Sequence, residues 1–137
     1  MATALIIDDH PIVLQGCRRV LQDAGIQTVA EARDAATGYS AFCRMRPDVV
    51  IIDLAMEGDG LTGLQLIAKI RAHDTQARIL VLSMHSDPAI ISRALQAGAT
   101  GYVLKDTSSD ELVNAFAQRK DHTASTKRAT MVLGPTD

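Results

Sequence analysis

The sequence predicts a doubly wound, three-layer α/β domain built on a five-stranded parallel sheet. Three observations carry this. Short aliphatic runs alternate with longer amphipathic ones five times over. The short runs are nearly continuous in Ala, Val, Ile and Leu, as in strands buried on both faces. Four of these runs stop at a polar residue, namely Asp8, Asp53, Ser83 and Lys105.

The elements follow in order. Ala4-Leu5-Ile6-Ile7 is the first strand and stops at Asp8. Pro11 suits a first helical turn, where a missing N–H costs nothing. Val13, Cys17, Val20, Leu21 and Ala24 recur at helical spacing, and Gly25 ends the run. Ile26 to Ala30 is the second strand. Asp34 caps a helix carrying Tyr39, Phe42 and Cys43, which Pro47 stops. Val49-Val50-Ile51-Ile52 is the clearest buried strand and ends at Asp53. A Gly- and Asp-containing loop, Met56 to Thr62, leads into a helix with Leu64, Ile67 and Ile70. Ile79-Leu80-Val81-Leu82 is the fourth strand and ends at Ser83. Asp87-Pro88 opens a helix with Ile90, Ile91, Ala94 and Leu95, closed by Gly98. Tyr102-Val103-Leu104 is the fifth strand and ends at Lys105. Ser108-Ser109-Asp110-Glu111 reads as a capping box before Leu112, Val113 and Phe116.

Composition bounds the function. The 137 residues suffice for one domain with a real core, here aliphatic, since aromatics are 3% and Trp is absent. No apolar run approaches the roughly 20 residues of a membrane span. Met1-Ala2-Thr3 lacks the basic start of a signal peptide, so the expectation is a cytoplasmic protein without membrane contact. Cys17 and Cys43 both fall in helix-like patterns and read as reduced core thiols. Residues 1–117 carry 10 basic against 14 acidic side chains, and residues 118–137 carry 4 against 2. This balance gives no footprint for nucleic acid, and Arg119, Lys120, Lys127 and Arg128 are too scattered to claim DNA contact. Residues 118–137, rich in Thr, Ala, Ser, Lys and Arg, read as a linker or tail, with Met131-Val132-Leu133 their one apolar patch.

The chemistry lies at the strand ends. In a parallel sheet, functional residues gather beyond the carboxyl ends of the strands. Asp8, Asp9 and Asp53 would meet there, and three carboxylates together imply a cation. Hard oxygen donors suit Mg²⁺, which keeps several waters and meets phosphate oxygens. A carboxylate such as Asp53 can also act as nucleophile and form an aspartyl-phosphate. The Lys105 ammonium and the Ser83 hydroxyl would then contact the phosphoryl oxygens. Asp8 and Asp9 also suit the N-terminus of the helix opened by Pro11. His10 and His85 lie near the same edge and are read as incidental, and His73 and His122 carry no motif.

In that order and at those strand ends, Asp8-Asp9, Asp53, Ser83 and Lys105 resemble the receiver domain of bacterial two-component response regulators, over about residues 3–117. Leu82-Ser83-Met84-His85-Ser86-Asp87 and Ala97-Gly98-Ala99-Thr100-Gly101-Tyr102-Val103-Leu104-Lys105-Asp106 resemble the LuxR/FixJ-type subgroup, whose members usually carry a C-terminal helix-turn-helix. The resemblance implies strand order 2-1-3-4-5. It implies that Asp53 takes a phosphoryl group from a sensor histidine kinase. Mg²⁺ would be held by Asp8, Asp9, Asp53 and the backbone carbonyl of Ala55. Lys105 would pair with the phosphoryl group, Ser83 would move to hydrogen-bond it, and Tyr102 would change rotamer. The altered surface would serve protein contact or a homodimer, and DNA only through a domain outside this chain. Beyond self-catalysed phosphorylation and dephosphorylation of Asp53, no enzymatic turnover is implied.

One departure concerns the loop after the acceptor. Glu57 stands where the family usually has Pro, and Gly63 comes two residues late, so Glu57-Gly58-Asp59-Gly60 looks two residues longer than usual. Two further readings stay open. One is the receiver half of a DNA-binding transcriptional regulator. The other is a Mg²⁺-dependent phosphohydrolase with Asp53 as nucleophile, although Ala55 stands where a common phosphatase family has its second acid.

Overall fold

Continuous aliphatic strands demand cover on both faces, and the pleat sends their side chains alternately to each. A computed structural model describes residues 2–54, 61–83, 87–104 and 131–133. The elements are β1 (Thr3–Ile7), α1 (Pro11–Asp23), β2 (Thr28–Ala32), α2 (Ala35–Met45), β3 (Val49–Asp53), α3 (Leu61–His73), β4 (Ile79–Ser83), α4 (Pro88–Ala97), β5 (Gly101–Leu104) and β6 (Met131–Leu133). The strands β1 to β5 are parallel and lie in the order β2-β1-β3-β4-β5, as expected.

The two faces separate cleanly. Leu5, Ile7, Val50, Ile52, Ile79, Val81 and Tyr102 point towards Ala41 and Phe42 of α2, Leu66, Ile67 and Ile70 of α3, and Ala94 of α4. Ala4, Ile6, Val49, Ile51, Leu80, Leu82 and Val103 point the other way, against Leu14, Cys17 and Leu21 of α1. Three layers result. The capping box at Ser108 and the helix expected after it lie outside the described residues.

Local chemistry sets the helix ends. Pro11 and Pro88 occupy first turns. The Asp34 carboxylate accepts from the Thr37 N–H at 2.7 Å, and that of Asp87 from the Ala89 N–H at 2.9 Å, each satisfying a donor that the helix leaves unpaired. Gly98 closes α4 at φ 123°, a backbone conformation that a Cβ disfavours. Arg71 of α3 binds this turn, donating from Nε and Nη2 to the Gly98 carbonyl at 3.1 and 2.8 Å.

Three details differ from expectation. The second strand starts two residues later and runs to Ala32, while Ile26 is buried in the preceding turn. The buried stripe of α1 is Leu14, Cys17 and Leu21, so the interior is met by Leu14, and Ala24 is exposed beyond the helix end. Finally, Met131–Leu133, expected to lie in a linker or tail, forms β6 antiparallel to β5, pairing Gly101 with Leu133 and Val103 with Met131. Neither Cys17 nor Cys43 forms a disulfide among the described residues; Cys17 is buried and Cys43 half-buried. No helix among the described residues is long and apolar enough to cross a membrane.

Candidate functional site

Register decides what meets at the sheet edge. Ile7 pairs with Ile52, so Asp8 and Asp53 follow as neighbours on the face covered by α1. The backbone supports both ends, since Asp8 N–H donates to the Ala32 carbonyl at 2.9 Å and Leu54 N–H to that of Leu82 at 3.1 Å. Asp8 and Asp53 are buried, at 1% and 0% exposure, and Asp9 is half-buried. Asp8, Asp9, His10 and Asp53 each offer a ligand atom, and these atoms all lie within 4.8 Å of one another.

The electrostatics follow from that crowding. Burial pushes the Asp8 carboxyl above the ordinary aspartate value. The His10 backbone and side chain, both hydrogen-bonded to it, pull in the opposite direction, while the neighbouring Asp53 raises it further. A divalent cation relieves such an arrangement, and an all-oxygen carboxylate trio is chemically fit for Mg²⁺.

Ser83 and Tyr102 sit on the opposite face of the sheet. Tyr102 pairs with Val81 and Ser83 with Leu104, so the two side chains are diagonal neighbours on one face. Both are buried, at 0% for Ser83 and 1% for Tyr102, and they share a hydrogen bond. Burial pushes the Tyr102 phenol up, the bond with Ser83 lowers it, and the charge of Asp87 raises it. Ser83 therefore ends its strand one register step beyond Asp53, which pairs with Leu82.

Gly63 also bears on the edge. A Cβ there would lie 3.0 Å from Leu54 Cδ2 and 3.2 Å from Leu54 Cα, so only a glycine lets α3 approach the end of β3 this closely. The two-residue delay in the sequence thus still delivers a glycine against Leu54. Lys105, Ala55, His85 and the loop Glu57–Gly60 lie outside the described residues.

The residue that sequence reasoning set aside is His10. Its Nδ1 lies 2.9 Å from Asp8 Oδ1, 3.0 Å from Asp9 Oδ1 and 3.4 Å from Asp53 Oδ2. Its own N–H donates to Asp8 Oδ1 at 2.9 Å. The signal was present in the order of residues. A proline at 11 holds residue 10 in extended backbone, and an aspartate at 8 can accept from the N–H two residues on, which turns the chain back.

Comparison with known proteins adds a family. The model described as "Response regulator receiver domain" matches residues 4–117. The methanol utilization control regulatory protein MoxX of Paracoccus denitrificans is 36% identical over 114 residues, which are 83% of this chain and 51% of MoxX. The chain thus spans about half the length of that relative. A LuxR-family two-component response regulator from Aurantimonas sp. SI85-9A1 superposes with a TM-score of 0.79 at 40% identity, covering 85% of this chain and 83% of that one. The isolated receiver domain of RcsB from Salmonella enterica serovar Typhimurium, solved with the phosphomimetic BeF3⁻, superposes with a TM-score of 0.82 at 33% identity. That likeness covers 94% of this chain and 95% of the other.

Proposed function

The chain belongs to the response regulator receiver domain family, and from that premise we propose that Asp53 is its phosphoacceptor, served by Mg²⁺. The observation that carries this is the meeting of Asp8, Asp9 and Asp53 at one sheet edge, with Asp53 buried at the end of β3. The related RcsB receiver, solved with a phosphoryl mimic, supports the same chemistry. Residues 3–117 carry the switching chemistry in this reading, with 118–137 as a tail whose Met131–Leu133 adds β6 to the sheet edge.

The step is a phosphoryl transfer from the phosphohistidine of a sensor kinase. The P–N bond breaks as a P–O bond to an Asp53 oxygen forms, and water later takes the group, restoring the carboxylate and releasing phosphate. Fixed strand ends hold the carboxylate in place, so little orientation is lost at the moment of transfer. Asp8, Asp9, Asp53 and the Ala55 carbonyl would hold the cation, whose charge would offset that on the transferring oxygens. Lys105 pairs with the phosphoryl group. The Ser83 hydroxyl serves Tyr102 in the unmodified protein and the phosphoryl oxygens afterwards. That exchange releases or repositions the Tyr102 ring against α4, and the surface of α4 and β5 changes with it. The partner of that surface is a second copy of the chain or another protein.

Intact-mass measurement after incubation with acetyl phosphate tests the core of this. The expected result is one added phosphoryl group that needs Mg²⁺ and is absent in Asp53→Asn. An adduct that persists in Asp53→Asn, or forms equally with chelator present, would overturn it.

A second output is favoured by the relatives' length. The matched part is about half of MoxX, a regulatory protein by name. Regulation of transcription, in this reading, acts through a DNA-binding domain outside the chain. Light scattering with and without beryllofluoride checks the dimer, which is expected to gain mass with the mimic at micromolar concentration.

A further inference from the structure

We propose that Arg71 is a positioning residue of the switch: it fixes the C-terminal end of α4, so that a change at Ser83 and Tyr102 swings the N-terminal end of that helix. The inference rests on the reading of Ser83 and Tyr102 as the responding pair.

The anchor is built from one guanidinium. Arg71 lies in the last turn of α3 and is half-buried. Its Nε and Nη2 donate to the Gly98 carbonyl at 3.1 and 2.8 Å, and its Nη1 donates to the carbonyls of Asp74 and Thr75 at 3.2 and 2.9 Å. One planar fork therefore ties the end of α3 to the turn that ends α4. The stem is part of the contact, because a Cβ on Gly98 would lie 2.8 Å from both Cβ and Cγ of Arg71. The turn is also held beyond Gly98. Thr100 N–H donates to the Ile79 carbonyl at 2.7 Å, and Ile79 N–H donates to Thr100 Oγ1 at 3.0 Å. The end of α3 and the start of β4 thus grip one turn between them.

The other end of α4 is held more lightly. The buried side chain of this helix is Ala94, in its C-terminal half. Pro88 and Ala89 are exposed, and Ile90 and Ile91 are half-buried against the core. Tyr102 acts at this lighter end: its hydroxyl bonds Ser83, and the charge of Asp87, the N-cap of α4, reaches it. A helix gripped at one end and loaded at the other pivots about the grip. About 14 Å of helix axis separates Ala89 from Gly98, so a tilt of about 10° moves Ala89 by about 2 Å. Without the Arg71 grip, the same load would be taken up in the turn.

The experiment is amide exchange read by NMR, in Mg²⁺ with and without beryllofluoride, on the native chain, Arg71→Gln and Arg71→Lys. The lysine keeps the charge and the stem but not the fork. The amides of Ile90 and Ile91 donate to the Asp87 carbonyl and report the swinging end. Those of Ala99 and Thr100 donate to the carbonyls of Ala94 and Ile79 and report the gripped end. In the native chain the mimic is expected to change exchange at Ile90 and Ile91 by at least about threefold and to leave Ala99 and Thr100 within about twofold. In both Arg71 variants the mimic is expected to change Ala99 and Thr100 by more than about threefold, with a smaller response at Ile90 and Ile91 than in the native chain. An Arg71 that only braces the fold would shift exchange in the turn equally with and without the mimic, and that result in either variant would overturn the proposal. So would a native chain whose Ala99 and Thr100 respond as strongly as Ile90 and Ile91. Failure of the underlying reading looks different: the mimic would leave Tyr102 and both ends of α4 unchanged in the native chain, and the proposal would fall with that reading.

Discussion

At the scale of residues, the site is a problem of charge held in place. Asp8 and Asp53 are buried side by side because the ladder between β1 and β3 runs one step short of them. Burial raises the Asp8 carboxyl, which means that its ionised form is disfavoured in the fold. Removing that charge relieves the fold and removes a ligand together. Asp8→Asn is therefore expected to raise the Tm of the metal-free protein by a few degrees, the scale of about 1 kcal/mol in a domain of this size. The same variant is expected to lose the Tm rise that Mg²⁺ gives the native chain. Thermal denaturation with chelator and with Mg²⁺ measures both, and a metal-free Asp8→Asn less stable than the native chain would contradict the charge argument. His10 belongs to this scale as well, since a Pro on one side and an Asp two residues back determine where its ring goes.

At the scale of elements, the helices owe their ends to short polar contacts. The exposed Asp34 carboxylate accepts from the N–H and the hydroxyl of Thr37, at 2.7 and 3.0 Å. The hydrogen bond from the Thr37 backbone, with the one from its side chain, holds this carboxyl below the ordinary value of 3.8. A folded-state pKa below the unfolded one means that the native state binds fewer protons in that window, so stability rises with pH there. The stabilisation is present above 3.8 and is lost as pH falls through the lower folded value. Asp34→Asn keeps an oxygen at the cap and removes the titration. The advantage of the native chain over Asp34→Asn in Tm is expected to shrink as pH drops below about 4. An advantage unchanged from neutral pH to pH 3 would show that the Asp34 charge has no part in the cap. The same local logic made the helix starts at Pro11, Asp34 and Asp87 readable from residue order alone.

At the scale of the whole molecule, one sheet orders everything. Its parallel strands put every carboxyl end on one edge, so residues 8, 53 and 83 become neighbours although they are far apart in the chain. Its far side is closed by β6, which pairs antiparallel with β5. An open strand edge exposes backbone donors and acceptors, and covering it protects them. A chain ended at residue 130 is expected to keep the parallel core. Amide exchange in Gly101–Val103 is expected to quicken by about tenfold or more, while exchange in β1 and β3 stays as it was. Unchanged exchange in β5 would mean that β6 does not protect that edge. The ring of Tyr102, between this strand and α4, lies where such a change would be felt.

Residue order by itself determined the alternation of strands and helices, the polar ends of the strands and the candidates Asp8, Asp9, Asp53 and Ser83. These are local: an aliphatic run, a proline or a carboxylate acts within a few residues of itself. It also determined the family resemblance, since the spacing of those polar ends along the chain is a one-dimensional pattern. Tertiary structure decided the rest. Which face of α1 is buried depends on the sheet beneath it, so Leu14 met the core and Ala24 did not. Whether Met131–Leu133 joins the sheet depends on an edge formed about 30 residues earlier. That His10 belongs with the carboxylates required β3 to bring Asp53 alongside β1, a contact between residues that no local pattern links. Ser83 and Tyr102 share a bond only because β4 and β5 pair in one register, and a slip of one residue would put them on opposite faces.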